Sequence, residues 1–144
     1  HPQTFSVAML DIDHFKAIND TYGHSVGDTV IAAVGTLLRQ HFRITDKLGR
    51  YGGEEFTLVL PDCDADQARK LVNRLREDFA DIKFTSDGAP FTCTLSAGVA
   101  DNHQFPNDTA EALLEKADQA LYRAKRDGRN RVVRASDQQA QGSS

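Results

Sequence analysis

The chain has 144 residues, the size of a single domain and enough to bury a core. Its hydrophobic content of 40% and charged content of 26% are typical of a soluble globular protein. The net charge of −4 argues against binding to a nucleic-acid polymer, and no apolar run approaches the roughly 20 residues of a membrane-spanning helix.

Two cysteines, Cys63 and Cys93, lie far apart without the spacing of a metal site. We interpret both as free thiols, compatible with a reducing cytosol. No secretory signal is visible at the start of the chain. These features predict a cytoplasmic domain that makes no membrane contact.

The first predicted element is a buried strand that ends in two carboxylates. Residues 5–10 are largely apolar on both faces, and Asp11 and Asp13 follow two residues apart. On extended chain they project from the same face, where their oxygens suit a hard cation such as Mg²⁺. Alternatively, Asp13 is the N-cap of a short helix at 14–20. Both roles can hold, with Asp11 as the metal ligand.

A longer helix is predicted at 25–42 from apolar residues at helical spacing. Ser25 and Asp28 have a capping-box-like spacing, which would make Asp28 an ordinary helix-start residue. The alternative is recognition of guanine. Asp28 would then accept from the N1 and N2 donors and Asn19 would pair with other edge groups, which selects guanine over adenine.

Residues 48–60 predict a β-hairpin with an acidic shoulder. Two apolar-rich runs flank Gly52 and Gly53, which adopt positive φ at no steric cost. Glu54 and Glu55 follow, and because neighbouring strand residues point to opposite faces, each needs a role on its own face. The glycines also leave room for a ligand to approach the backbone. The simpler interpretation is a hairpin whose acidic residues only keep an exposed strand edge from pairing with another chain.

The next segments continue the alternation of helices and strands. Asp64 is the expected N-cap of an amphipathic helix that ends near Ala80. Its basic outer face includes Arg74 and is, by itself, a solvated surface. A short strand is predicted at 82–84 and a turn at 86–90.

A strand is then predicted at 91–100, in which Gly98 allows a neighbour to pack closely. Asp108 or Thr109 caps a helix that runs to about residue 127, Gly128 ends it, and a short strand follows at 132–134. From residue 136 the composition predicts a disordered tail. The order of elements predicts an α+β fold with a mainly antiparallel sheet and helices packed on it.

Five motifs, in order, resemble those of the GGDEF-type diguanylate cyclase catalytic domain, in its Gly-Gly-Glu-Glu-Phe form. They lie at 11–20, 23–28, 50–56, 94–99 and 117–130, and the similarity runs from about residue 7 to 133. The resemblance implies a nucleotidyl cyclase-like, ferredoxin-like βαββαβ core with a five-stranded sheet. It assigns residues 1–135 to the domain and 136–144 to the tail.

In that family two GTP molecules condense into cyclic di-GMP and two pyrophosphates. The resemblance implies that Asp11, Glu54 and the Ile12 carbonyl hold Mg²⁺, with Mn²⁺ as an alternative, and that Glu54 takes the 3′-hydroxyl proton. It gives guanine recognition to Asn19 and Asp28 and terminal phosphates to Lys125 and Arg129. Lys16 and the amides near Phe15 are further implied contacts of the terminal phosphates. His24, Gly52 and Gly53 are implied substrate contacts, and Glu55 orients Lys16 or supports the site.

Arg43 and Asp46, just ahead of the hairpin, read on their own as a helix C-terminal cation and a turn aspartate. The resemblance implies that they form an inhibitory site for the product, cyclic di-GMP. Arg74 is then a secondary contact of the same site.

Because each domain would hold one GTP, the resemblance implies a C2 homodimer for catalysis. The family also has a helical segment before the first strand that is absent here. We therefore expect a longer parent chain with an upstream sensory or dimerising domain. A non-catalytic receptor for cyclic di-GMP or GTP is the alternative, and a purely structural domain is a third. The presence of Asp11, Asn19, Asp28 and Glu54 favours the enzyme.

Overall fold

A central sheet with helices on both faces organises the molecule, in a computed structural model that describes residues 3–42, 47–51 (backbone only) and 54–136. The elements are β1 (Phe5–Ile12), α1 (Phe15–Tyr22), α2 (His24–His41), β2 (Lys47–Tyr51), β3 (Glu55–Pro61), α3 (Ala65–Ala80), β4 (Phe84–Ser86), β5 (Ala89–Phe91), β6 (Leu95–Asp101), α4 (Ala110–Arg126) and β7 (Val132–Arg134). Five strands form one sheet in the order β2-β3-β1-β6-β7. Only the β6–β7 pair is parallel, which confirms the predicted α+β class and mainly antiparallel sheet.

The two faces of the sheet carry separate hydrophobic cores because residues of β1 alternate between them. Leu10 and Ile12 face the core shared with α1, α2 and α3. Val7 and Met9 face the core shared with α4. By the same alternation Asp11, the next odd position, lies on the α4 face.

The helix ends show which caps the sequence predicted correctly. Asp64 accepts from the Gln67 amide and the Gln67 side chain accepts from the Asp64 amide, a complete capping box that confirms the predicted N-cap. Thr109 caps α4 by accepting from the Ala112 amide. After α4, Gly128 takes a positive φ of 130°, as predicted for the residue that follows a helix.

Two predicted caps are wrong. Helix α2 begins at His24 after Gly23 (φ 95°), without a side-chain cap, so Ser25 and Asp28 form no capping box. Asp13 does not cap α1, because His14 occupies the N-cap position with a left-handed φ of 56°. The Asp13 carboxylate is held by other partners, described below.

The segment after α3 also differs from its prediction. The short strand lies at Phe84–Ser86 instead of 82–84, and a tight turn at Asp87 and Gly88, both with positive φ, pairs it with β5. The strand predicted at 91–100 therefore begins only at Leu95. The reason is aromatic packing: the Phe91 ring stacks on Tyr22 at 4.1 Å between ring centroids, which places Phe91 in the small hairpin.

Several predictions lie outside the described residues, namely those for Arg43, Asp46, Gly52 and Gly53 and for the tail beyond Ser136. Cys63 and Cys93 are both buried and neither forms a disulfide, which confirms their assignment as thiols. In the described part of the chain, no helix is long and apolar enough to cross a membrane.

Gly98 sets the distance between β6 and α4. A Cβ atom at this position would overlap the backbone carbonyl of Ala117 and the backbone amide of Leu121. We expect Gly98→Ala to lower the free energy of unfolding by about 1–3 kcal/mol, since a backbone cannot yield as a side chain can. Urea denaturation followed by circular dichroism measures the change.

Gly35→Ala in α2 is the matched control, because its Cβ would meet only the Arg39 guanidinium, at 3.6 Å. It should leave stability unchanged or raise it by up to about 1 kcal/mol. Equal stability of the Gly98 and Gly35 variants would contradict this account of the β6–α4 contact.

Burial raises the pKa of the Cys93 thiol from 9.0 to about 11, and the negative charge of Asp13 adds to the effect. Between these two values the unfolded chain has lost the proton and the folded chain keeps it. The contribution of Cys93 to stability is therefore complete below about pH 9 and is lost as the pH rises towards 11. Urea denaturation of the wild type and of Cys93→Ala between pH 9 and 11 measures this contribution. The free energy of unfolding should fall more steeply with pH in the wild type. An equal fall in both proteins would refute the raised pKa of Cys93.

Candidate active site

The end of β1 lies between the acidic hairpin and β6. Asp11 is paired with Glu55 of β3 on one side and with Ser96 of β6 on the other. The Ile12 amide donates to the Glu54 carbonyl at 3.4 Å, which continues this alignment by one residue. The fold thus brings Asp11, Glu54 and Glu55 together, although Glu54 lies 43 positions after Asp11 along the chain.

Asp11 has two carboxylate oxygens in different environments. The ammonium group of Lys125 donates to Oδ2. Oδ1 is buried and accepts no hydrogen bond within the described residues. Burial raises the pKa of Asp11; the Lys125 hydrogen bond and charge oppose this, and the charges of Glu54 and Asp13 add to it. A buried carboxylate oxygen without a donor, beside a second carboxylate, is suited to a cation.

The oxygen donors at this point fit Mg²⁺. In the described ranges no three His, Cys, Asp or Glu side chains are grouped to hold a metal ion. The predicted set is smaller, with the Asp11 and Glu54 carboxylates and the Ile12 carbonyl. Mg²⁺ commonly takes only one or two protein carboxylates and completes its shell with water and phosphate oxygens.

Asp13, in contrast, has both oxygens engaged, and its side chain is almost fully buried. Oδ1 accepts from the Ser96 hydroxyl at 2.7 Å. Oδ2 accepts from the Thr94 hydroxyl at 2.7 Å and from the backbone amide of Asn130 at 3.0 Å. Sequence reasoning missed this role; the alternating polar positions 94 and 96 of the predicted strand were the available signal.

The turn after α4 carries the residues predicted to bind phosphate. Lys125 lies in the last helical turn, and Arg129 follows in a turn closed by its own amide, which donates to the Ala124 carbonyl at 2.8 Å. Because Lys125 contacts Asp11 and the Asn130 amide contacts Asp13, this basic turn lies beside the end of β1. Cationic groups and the candidate cation site are therefore adjacent.

The residues predicted to recognise guanine lie where α1 meets α2. A Cβ on Gly27 would overlap Asn19 Oδ1 and would lie 3.3 Å from the Phe15 ring, so both side chains pack against this glycine. Asn19 Oδ1 is buried without a hydrogen-bond partner in the described ranges. Asp28, the next residue after Gly27, is exposed, as are Lys16 and His24.

The structure does not bring Glu55 and Lys16 together. Glu55 shares the α4 face with Asp11, and its pKa is raised by burial and by the charges of Asp11 and Asp118. Lys16 lies on α1, which packs on the opposite face. Arg74, from the predicted inhibitory site, is exposed on α3, and its predicted partners Arg43 and Asp46 lie outside the described residues.

At the end of the central strand of this α+β sheet, a carboxylate pair that suits a cation lies beside a basic turn that suits phosphate. Residues 1–131 match the family described as "Diguanylate cyclase, GGDEF domain". The chain belongs to this family.

Relatives and solved structures agree with the family match. The chain is 46% identical over 126 residues to diguanylate cyclase DgcP of Pseudomonas aeruginosa, covering 88% of this chain and 18% of DgcP. It is 41% identical over 131 residues to diguanylate cyclase A of Treponema denticola, covering 91% and 35% of the two chains. The GGDEF domain of DgcB from Caulobacter crescentus, in complex with c-di-GMP, superposes with a TM-score of 0.86 at 35% identity, covering 92% of this chain and 78% of that one. The chain thus spans only a minor part of the length of these two curated relatives.

Proposed function

We propose that this chain is the catalytic domain of a diguanylate cyclase, which condenses two GTP molecules into cyclic di-GMP with release of two pyrophosphates. The observation that carries the proposal is the buried Oδ1 of Asp11, which lies next to Glu54 and has no hydrogen-bond donor within the described residues, while Lys125 donates to Oδ2. Acceptors for a cation and donors for phosphate meet at this one point. Named diguanylate cyclases at 41% identity and above support the reaction.

The residues around the end of β1 have separate roles in the proposed reaction. Asp11, Glu54 and the Ile12 carbonyl would hold Mg²⁺ or, in its place, Mn²⁺, which would supply Lewis-acid chemistry at the 3′-hydroxyl and the α-phosphate. A Glu54 carboxylate oxygen accepts the 3′-hydroxyl proton. Lys125 and Arg129 bind the terminal phosphates and stabilise the charge of the leaving pyrophosphate.

Specificity for guanine comes from the α1–α2 pair. Asp28 accepts from the N1 and N2 donors and Asn19 pairs with the remaining edge. His24 is a further substrate contact, and Lys16 and the amides near Phe15 are further contacts of the terminal phosphates. Gly52 and Gly53 allow the nucleotide to lie against the hairpin. This arrangement is supported by the position of Asn19 and Phe15 against Gly27, directly before Asp28.

A single domain holds one GTP, so the reaction requires a C2 homodimer in which each 3′-hydroxyl attacks the α-phosphate of the other molecule. An upstream sensory or dimerising domain in a longer, cytoplasmic parent chain brings the two copies together. The DgcB structure in complex with c-di-GMP supports binding of the product to this fold. We assign inhibition by the product to Arg43, Asp46 and Arg74.

Removing either acidic ligand should abolish the reaction. In a fusion of the chain to a parallel dimerising coiled coil, supplied with GTP and Mg²⁺, we expect Glu54→Ala and Asp11→Asn each to lower the rate by about 10²–10⁴-fold. Chromatography of the cyclic dinucleotide together with a pyrophosphate assay measures the rate.

Glu115→Ala is the control, since Glu115 is an exposed carboxylate on α4. It should retain the full rate. If the unaltered fusion binds cyclic di-GMP tightly but makes none, the chain is a receptor and not a cyclase.

Changing Asp28 should weaken the choice of guanine. Asp28→Asn loses a charged acceptor for two base donors, which should lower kcat/KM for GTP by about 10–100-fold and leave the low activity with ATP unchanged. Asp20→Asn, an exposed carboxylate one residue after Asn19, is the matched control. If the ratio of GTP to ATP turnover is the same in both variants, Asp28 does not recognise the base.

A further inference from the structure

The two aspartates at the end of β1 have opposite hydrogen-bonding states. Among the residues that the structure describes, no group donates to the buried Oδ1 of Asp11, whereas Asp13 accepts from the Ser96 and Thr94 hydroxyls and from the backbone amide of Asn130. A carboxylate whose two oxygens are already bound by protein donors has little left to offer an ion. The end of β1 therefore separates a ligand-facing aspartate from a protein-facing one.

The turn that Asp13 holds has an unfavourable backbone. Gly128, Arg129 and Asn130 have successive φ values of 130°, 64° and 50°. For a residue other than glycine, the left-handed region costs of the order of 1 kcal/mol or more, and such residues persist only where the surroundings fix them. Arg129, the predicted phosphate ligand, lies in the middle of this turn.

Several contacts from outside the turn fix it. The Asn130 amide donates to Asp13 Oδ2 and to the Ser96 hydroxyl, at 3.0 and 3.1 Å. The Arg76 guanidinium of α3 donates to the Asn130 side-chain oxygen at 2.7 Å. The Ala97 amide of β6 donates to the Arg131 carbonyl at 3.0 Å. Among these groups, Asp13 joins the turn to two hydroxyls at the start of β6, that of Thr94 just before the strand and that of Ser96 within it.

We propose that Asp13 is a positioning residue for substrate phosphates: it holds the left-handed turn at 128–130 and thereby places Arg129. The proposal rests on the proposed function, because Arg129 is assigned to phosphate there. It excludes two other roles for Asp13. The residue does not cap α1, and it does not share a cation with Asp11.

The test compares two buried aspartates of the same kind. Asp13 and Asp101 are each 4% exposed and each accept from backbone amides, but Asp101 binds those of Ala65 and Gln104, away from the turn. We expect Asp13→Ala to weaken binding of GTP at saturating Mg²⁺ about tenfold or more, in the range of other supporting-residue losses. Binding of GMP, which lacks the terminal phosphates, should not change. Asp101→Ala should leave the ratio of GTP to GMP affinity as in the wild type.

A second pair of variants tests the same turn if Asp13→Ala fails to fold. Asn130→Gly removes the Arg76 contact and relaxes the turn without steric cost, so it should weaken GTP binding while the midpoint of urea unfolding stays the same. Asp87→Gly relaxes another left-handed residue (φ 50°), in the β4–β5 hairpin, and should not affect GTP binding.

Hydrogen exchange of the peptide 127–132 supplies a readout that needs no nucleotide. Asp13→Ala and Asn130→Gly should speed exchange there, and the controls Asp101→Ala and Asp87→Gly should not. Unchanged exchange overturns the proposal even if the protein never binds GTP. Failure of the wild type to bind GTP, with faster exchange in the two variants, overturns the proposed function alone and leaves the holding of the turn supported.

Three binding results would also overturn the proposal. The first is equal weakening of GTP and GMP binding, which indicates a general structural role. The second is an equal effect of Asp101→Ala. The third is a shift in the Mg²⁺ dependence with GTP affinity unchanged at saturating Mg²⁺, which would make Asp13 a cation ligand.

Discussion

The position of β1 between two antiparallel neighbours is the constraint on which the site depends. Because β3 and β6 occupy both edges of β1, its final residues lie inside the protein and its carboxylates lose most of their contact with water. A buried carboxylate needs donors or a cation. Asp11 pairs with Lys125, and Asp13 accepts hydrogen bonds from two hydroxyls and one backbone amide. These bonds hold the end of α4 and the turn after it against the end of β1.

Two close approaches let the surrounding helices reach this point. Gly98 allows the backbone of α4 to lie directly on β6, so that Lys125, near the end of the same helix, reaches Asp11. Gly27 in α2 lets Asn19 and Phe15 of α1 pack against it. In the proposed function, the groups for the cation and the phosphates come from the strand end and α4, and the groups for the base come from α1 and α2. A nucleotide that spanned the two sets would be held at both ends, which is the geometry that aligned phosphoryl transfer requires.

Backbone strain is concentrated near the same strand end. Among the described residues, five non-glycine residues have positive φ, and three of them, His14, Arg129 and Asn130, flank the end of β1. Strain of this kind persists where the surroundings over-determine the conformation and is common at ligand sites. Here it turns the chain sharply into α1 and out of α4, so that side chains from both segments meet one strand end. The hydrogen bonds of Asp13 supply part of the compensation.

Local patterns in the sequence determined the α+β class, α3 and β7 with their bounds, and the cap Asp64, and they limited the cap of α4 to Asp108 or Thr109, because periodicity and capping act within a few residues. They placed the start of the strand at residue 91, whereas it begins at Leu95. Phe91 instead stacks on Tyr22, 69 positions away, and local patterns carry no information about such a contact. The family motifs pointed to Asp11, Glu54 and Lys125, yet the different hydrogen-bond partners of Asp11 and Asp13 could not be read from a motif in which both are simply aspartates. Only the tertiary structure determines these partners. Lys125, which donates to Asp11, lies 114 residues away in the sequence, and the backbone amide of Asn130, which donates to Asp13, lies 117 residues away. Both groups reach the end of β1 only in the folded chain.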